Sequence, residues 1–147
     1  MPDRPEVTKK AVELLAGREK TAVQLAQALT RRGYDETEIA HALEHVRRLG
    51  YLDDARVAAN RARAGLGQKR SRAEVARRLE AQGVDAALAS TAVRDAALEA
   101  GQTDEASARA LLGSRTLSGP KAARLLASLG FDEALIRKLV DLGDESL

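Results

Sequence analysis

The chain repeats itself. Gly33, Gly83 and Gly130 stand 50 and 47 residues apart, and their surroundings fall into register. The tetrapeptides are Arg32-Gly33-Tyr34-Asp35, Gln82-Gly83-Val84-Asp85 and Leu129-Gly130-Phe131-Asp132. Twelve residues before each glycine stands a hydroxyl (Thr21, Ser71, Ser118), and four before each a leucine (Leu29, Leu79, Leu126). Leu25, Val75 and Ala122 form another column, as do Leu43, Val93 and Val140. A period of this length indicates stacked helical units, none of which buries its apolar face alone.

Each column has a physical role. The hydroxyl caps a helix by accepting from exposed backbone N–H groups. Thr21 with Gln24, and Ser71 with Glu74, fit the reciprocal capping box. The third unit has Lys121 there instead, but Pro120 suits a first helical turn. The glycine ends the helix, because it takes the left-handed conformation without strain. The Tyr, Val or Phe after it tucks back, and the Asp caps the next helix.

Each middle helix is therefore about twelve residues long, on the cap-to-glycine spacing. Third helices are expected over Asp35–Leu49, Asp85–Glu99 and Asp132–Leu142, ended by Gly50, Gly101 and Gly143. First helices are expected over Val7–Ala16, Asp54–Leu66 and Asp104–Gly113. The fold class is all-α, with about nine helices and no strand pattern. The expected division is a tail over 1–7 and three-helix repeats over 8–53, 54–103 and 104–143. With 2% aromatic residues, Leu, Ala and Val must supply the core.

Charge is concentrated in one stretch. From Ala55 to Leu79, Arg56, Arg61, Arg63, Lys69, Arg70, Arg72, Arg77 and Arg78 face Glu74 alone. That is +7 in a chain of net +2, so the remainder carries −5. A concentrated positive field attracts polyanions, nucleic acid above all. Charge alone leaves a solvated helical surface equally open. Arg56, Asn60 and Arg63 share one face of their helix by spacing. Arg70, Arg77 and Arg78 are expected to point outward from the next, with Lys69, Arg70 and Arg72 at the turn between. Few aromatics means no stacking platform for bases. The pattern suits sequence-independent phosphate contact, with DNA or with DNA already held by another protein.

No catalytic constellation emerges. His41 and His45 have helical metal-ligand spacing, but Ala42 stands where a zinc protease needs Glu and no third ligand is indicated. Asp53 and Asp54 read as helix-capping carboxylates rather than a metal pair. Gly65-Leu66-Gly67-Gln68-Lys69 lacks phosphate-loop spacing and reads as a helix end and turn, and as a candidate for backbone contact with DNA. The chain has no cysteine, which removes disulfides and thiolate sites. No apolar run of membrane-spanning length and no secretory signal is present, so a cytoplasmic location is expected. No enzymatic activity, metal or cofactor is expected.

The stretch Gly50-Tyr51-Leu52-Asp53-Asp54-Ala55-Arg56-Val57-Ala58 resembles the signature of the RecX family of bacterial recombination regulators. Leu29-Thr30-Arg31-Arg32-Gly33-Tyr34 and Leu79-Glu80-Ala81-Gln82-Gly83-Val84 are similar to that family in type and spacing. The likeness runs over about residues 8 to 142. It implies three tandem three-helix units in an extended, curved arrangement. It also implies binding to the RecA recombinase filament on single-stranded DNA, in its groove, with suppression of RecA activity, by a monomer without a cofactor. Two departures stand out. Val57 replaces the aromatic that commonly follows the signature Arg, and Ser71-Arg72 lies where a Gly-Pro pair often opens the middle helix. Two further readings stay open beside it: a DNA-binding helical module without RecA, and a scaffold whose arginines meet an acidic partner.

Overall fold

The computed structural model describes residues 5–140, and every regular element in them is helical. The helices are α1 (Pro5–Gly17), α2 (Ala22–Arg31), α3 (Glu36–Arg48), α4 (Asp54–Gly67), α5 (Arg72–Ala81), α6 (Ala86–Ala100), α7 (Asp104–Gly113), α8 (Gly119–Ser128) and α9 (Glu133–Leu139). The all-α expectation of about nine helices holds. The last third helix is shorter than its periodicity suggests: α9 stops at Leu139 and Val140 is extended, at φ −114°. The expected terminator Gly143 lies outside the described residues.

Punctuation follows the repeat. Thr21, Ser71 and Ser118 cap α2, α5 and α8. Asp35, Asp85 and Asp132 cap α3, α6 and α9. Gly33, Gly83 and Gly130 take φ of 91°, 100° and 90°. The expected capping box at Ser71 is not formed. The Glu74 carboxylate turns to Arg77 and Arg78, and the Ser71 N–H donates instead to the Leu129 carbonyl at 3.1 Å. Two guanidiniums outcompete one backbone amide for a carboxylate. Asp35 and Glu38 form a box of their own.

Three separate apolar clusters result. Leu25, Leu29, Ile39 and Val46 centre the first, formed by α1–α3 with Leu52. The second, of α4–α6, is built on Val75, Leu79 and Val93 with six alanines. Small side chains let α4 and α5 approach closely: a Cβ at Gly65 would lie 2.9 Å from Val75 Cγ2. The third, of α7–α9, gathers round Leu126, Phe131 and Ile136. Val57 is buried in spite of its reduced size.

Helix packing is almost confined within each group of three. The two joints are built alike. At the first, Thr21 Oγ1 donates to the Gln82 carbonyl at 2.6 Å, and the Ala22 N–H donates to Asp54 Oδ1 at 2.8 Å. At the second, Ser71 Oγ donates to the Gly130 carbonyl at 2.7 Å, and the Arg72 N–H donates to Asp104 Oδ1 at 3.0 Å. The cap hydroxyl thus works twice. It accepts from its own helix and donates to the next group's turn.

Ser118 has only the first task among the described residues, accepting from the Lys121 N–H. Ser71→Ala should therefore cost about 2–3 kcal/mol, a lost cap plus a buried carbonyl left without its donor. Ser118→Ala should cost about 1 kcal/mol, the cap alone. Urea denaturation of the two variants measures the difference. Equal losses would mean that the joint bond contributes nothing.

Candidate functional site

The basic stretch does not form one face. Successive residues turn by about 100° round a helix, so Arg61 and Arg63 leave α4 in nearly opposite directions. Arg63 lies against Glu99 at 2.9 Å and Asn60 at 3.0 Å. Arg56 folds back on Asp53 and the Gly50 carbonyl. Arg72 is held at the second joint, 3.6 Å from Asp104. Arg77 reaches Glu74, whose side chain is only 7% exposed, and Arg78 meets the same carboxylate at 2.9 Å. Arg56, Arg63, Arg72, Arg77 and Arg78 are exposed, as expected of outward cations, but the expected single cationic surface on α4 and α5 is corrected. Carboxylates supplied by neighbouring turns and helices take up Arg56, Arg63, Arg72, Arg77 and Arg78.

Arg61, Arg70 and Arg78 come together, with partners the basic stretch does not contain. They line an open cleft of about 540 Å³ across the first joint, joined there by Arg18, Lys20 and Arg31. Glu19 is the one carboxylate in its wall. Arg18, Lys20 and Arg31 make no ion pair among the described residues. Glu13 and Glu19 dilute the charge near Arg18 and Lys20, which hid them from a count along the chain. The repeat carried a usable signal. Lys20 and Arg70 both stand directly before a cap hydroxyl, where the third unit has Leu117.

The positioning is local in origin. Lys20 immediately precedes the cap of α2, at the first joint, and Arg70 that of α5, at the second, and both line the cleft. Their neighbour Lys69 takes the left-handed conformation, φ 66°, where all the other positive-φ residues described are glycines. Arg70 Nη1 donates to Gln68 Oε1, and its Nε is buried without a partner. Helix N-termini add positive potential. An open cleft with cations and few carboxylates suits groups that only accept hydrogen bonds.

The signature residues have structural places. Leu52 is buried in the first cluster, Gly50 has φ 84°, and Asp53 caps α4. Asp54 ties the first joint, and Tyr51 is 53% exposed. His41 and His45 join no group of metal-binding side chains among the described residues. Glu105 is the described carboxyl held clearly below its usual range, by Lys138 and then Arg109, far from the cleft in sequence. No described helix is long and apolar enough to cross a membrane.

Residues 9–45 match the family model for the first three-helix domain of RecX. "Regulatory protein RecX" of Mycobacterium marinum is 35% identical over 112 residues, 71% of this chain and 62% of that protein. Its namesake from Ectopseudomonas mendocina is 40% identical over 94 residues, 60% of this chain and 63% of that protein. That of Syntrophotalea carbinolica is 40% identical over 63 residues, 43% of this chain and 41% of the relative. The chain thus spans less than two thirds of the length of each. A crystal structure of RecX from Lactobacillus salivarius shares the fold, with TM-score 0.70 over 90% of this chain and 91% of that one, at 16% identity.

Proposed function

The chain belongs to the RecX family, and we propose that it binds the RecA filament on single-stranded DNA and inhibits it, lowering filament growth, ATP hydrolysis and strand exchange in DNA repair and recombination. The observation that carries this reading is the cleft at the first joint. Its cations, drawn from two helical units, form a polyanion seat that a contiguous basic helix would not provide. The protein works in the cytoplasm as a binding module without chemistry of its own, and the ATPase is the partner's.

The test is RecA-catalysed ATP hydrolysis on single-stranded DNA, titrated with this protein. The expected result is inhibition at or below one protein per RecA. An unchanged ATPase together with tight binding to naked DNA would replace this reading with a sequence-independent DNA-binding module.

A further inference from the structure

We propose that the cleft is a phosphate site lined mainly by donors, its one carboxylate, Glu19, being engaged by Asn60, and that Arg61 sets this character by orienting the amides of Gln24 and Gln82. This rests on the cleft being the face turned to the nucleic-acid strand. Arg61 Nη1 donates to Gln24 Oε1 at 3.0 Å and to Gln82 Oε1 at 2.8 Å, while Nη2 donates to the Glu19 carbonyl at 3.0 Å. A guanidinium has no acceptor, so each amide must turn its oxygen inward to meet it; the Thr21 N–H, donating to the same Gln24 oxygen at 3.1 Å, holds that amide the same way, and Gln82 depends on Arg61.

The consequence falls on the other end of each amide. The NH2 groups of Gln24 and Gln82, both lining the cleft, are left to donate. Gln68 repeats the device, its oxygen held by Arg70. The second joint has no counterpart, since Leu111 stands 50 residues after Arg61. A wall of ammonium, guanidinium and amide N–H groups suits phosphate oxygens, which only accept. It offers little to base edges, which carry donors too. Arg61 is a positioning residue here, because three of its five N–H donors, on Nη1 and Nη2, already hold groups of the protein.

The experiment measures binding of a fluorescent oligothymidylate at low salt by anisotropy. Gln24→Met with Gln82→Met removes the donors without changing charge, and should weaken binding about tenfold, the equivalent of one charge-assisted hydrogen bond. Arg61→Lys keeps the charge but loses the fork that orients Gln82, while Thr21 still holds Gln24, and should weaken binding about threefold. Combined with the two methionines, Arg61→Lys should add almost nothing, because it acts through those amides.

Additive losses would show Arg61 touching the strand itself and would overturn the positioning role. Gln68→Met lies away from the joint, so it tests the donor wall even if the joint variants fold poorly. It should weaken binding about threefold, as a weaker, neutral hydrogen bond would, and wild-type affinity for it would overturn the donor wall. Wild-type affinity in all variants would sink this inference and leave RecA inhibition standing. No oligothymidylate binding by the native chain would remove the phosphate site itself.

Discussion

Gly83→Ala should destabilise the protein by about 3 kcal/mol or more, whereas Gly33→Ala should cost about 1–2 kcal/mol. The two glycines have nearly the same backbone, φ 100° and 91°, so the strain of adding a Cβ in that conformation is shared. Their surroundings differ. Nothing lies within 4 Å of a Cβ built on Gly33, but one on Gly83 would sit 2.4 Å from Val23 Cβ. Val23 cannot swing that atom aside, because a Cβ is fixed to its backbone. The joint must open instead, which parts Thr21 from the Gln82 carbonyl and Ala22 from Asp54.

Gly130 repeats the situation, 2.4 Å from Glu74 Cβ, and Gly130→Ala should resemble Gly83→Ala. Denaturant titrations of the three variants give the comparison. If Gly33→Ala proves as costly as Gly83→Ala, the close approach at the joint has no energetic weight.

That contrast marks where the sequence stops speaking. Helices, caps and turns were legible because each depends on residues within one turn of one another. Thr21 and Gln24 announce a helix start, and Gly83 announces its end. The second bond of Thr21 runs to a carbonyl 61 residues away, and a carbonyl carries no residue-specific mark in sequence. Asp54 was read correctly as a carboxylate at a helix start, but the N–H it accepts from belongs to Ala22. At Ser71, pattern alone suggested a capping box that competing arginines dismantle.

The candidate site was half legible for a related reason. Charge density along the chain found Arg61, Arg70 and Arg78, because they happen to lie close together in sequence. It also swept in Arg56, Arg63, Arg72 and Arg77, whose neutralising carboxylates come partly from elsewhere: Glu99 and Asp104 lie well beyond the stretch. It missed Arg18, Lys20 and Arg31, which reach the same cleft from another unit. A patch is a property of a surface, and a one-dimensional count cannot tell a shared face from a shared segment.

Two triple replacements of equal charge separate the cleft from the rest. Arg18→Ala, Arg31→Ala and Arg70→Ala together should weaken single-stranded DNA binding by more than about a hundredfold near physiological salt. Arg56→Ala, Arg63→Ala and Arg72→Ala together should change it by less than about threefold, because exposed ion pairs contribute little to anything beyond themselves.

The salt dependence gives a second reading of the same pair. With Arg61 engaged internally and Arg78 paired to Glu74, four cleft cations remain for phosphates: Arg18, Lys20, Arg31 and Arg70. At about −0.7 per contact the slope of log K against log salt should be about −2.8, shallower than the −3.5 or so that five free cations would give. The cleft triple should flatten it to about −0.7, and the other triple should leave it unchanged. Charge reversal at Arg77 and Arg78 would be a poor substitute, since it would set two carboxylates against the buried Glu74 and strike the fold. If the two alanine triples weaken binding alike, the protein attracts DNA through its overall field, and the cleft has no special role.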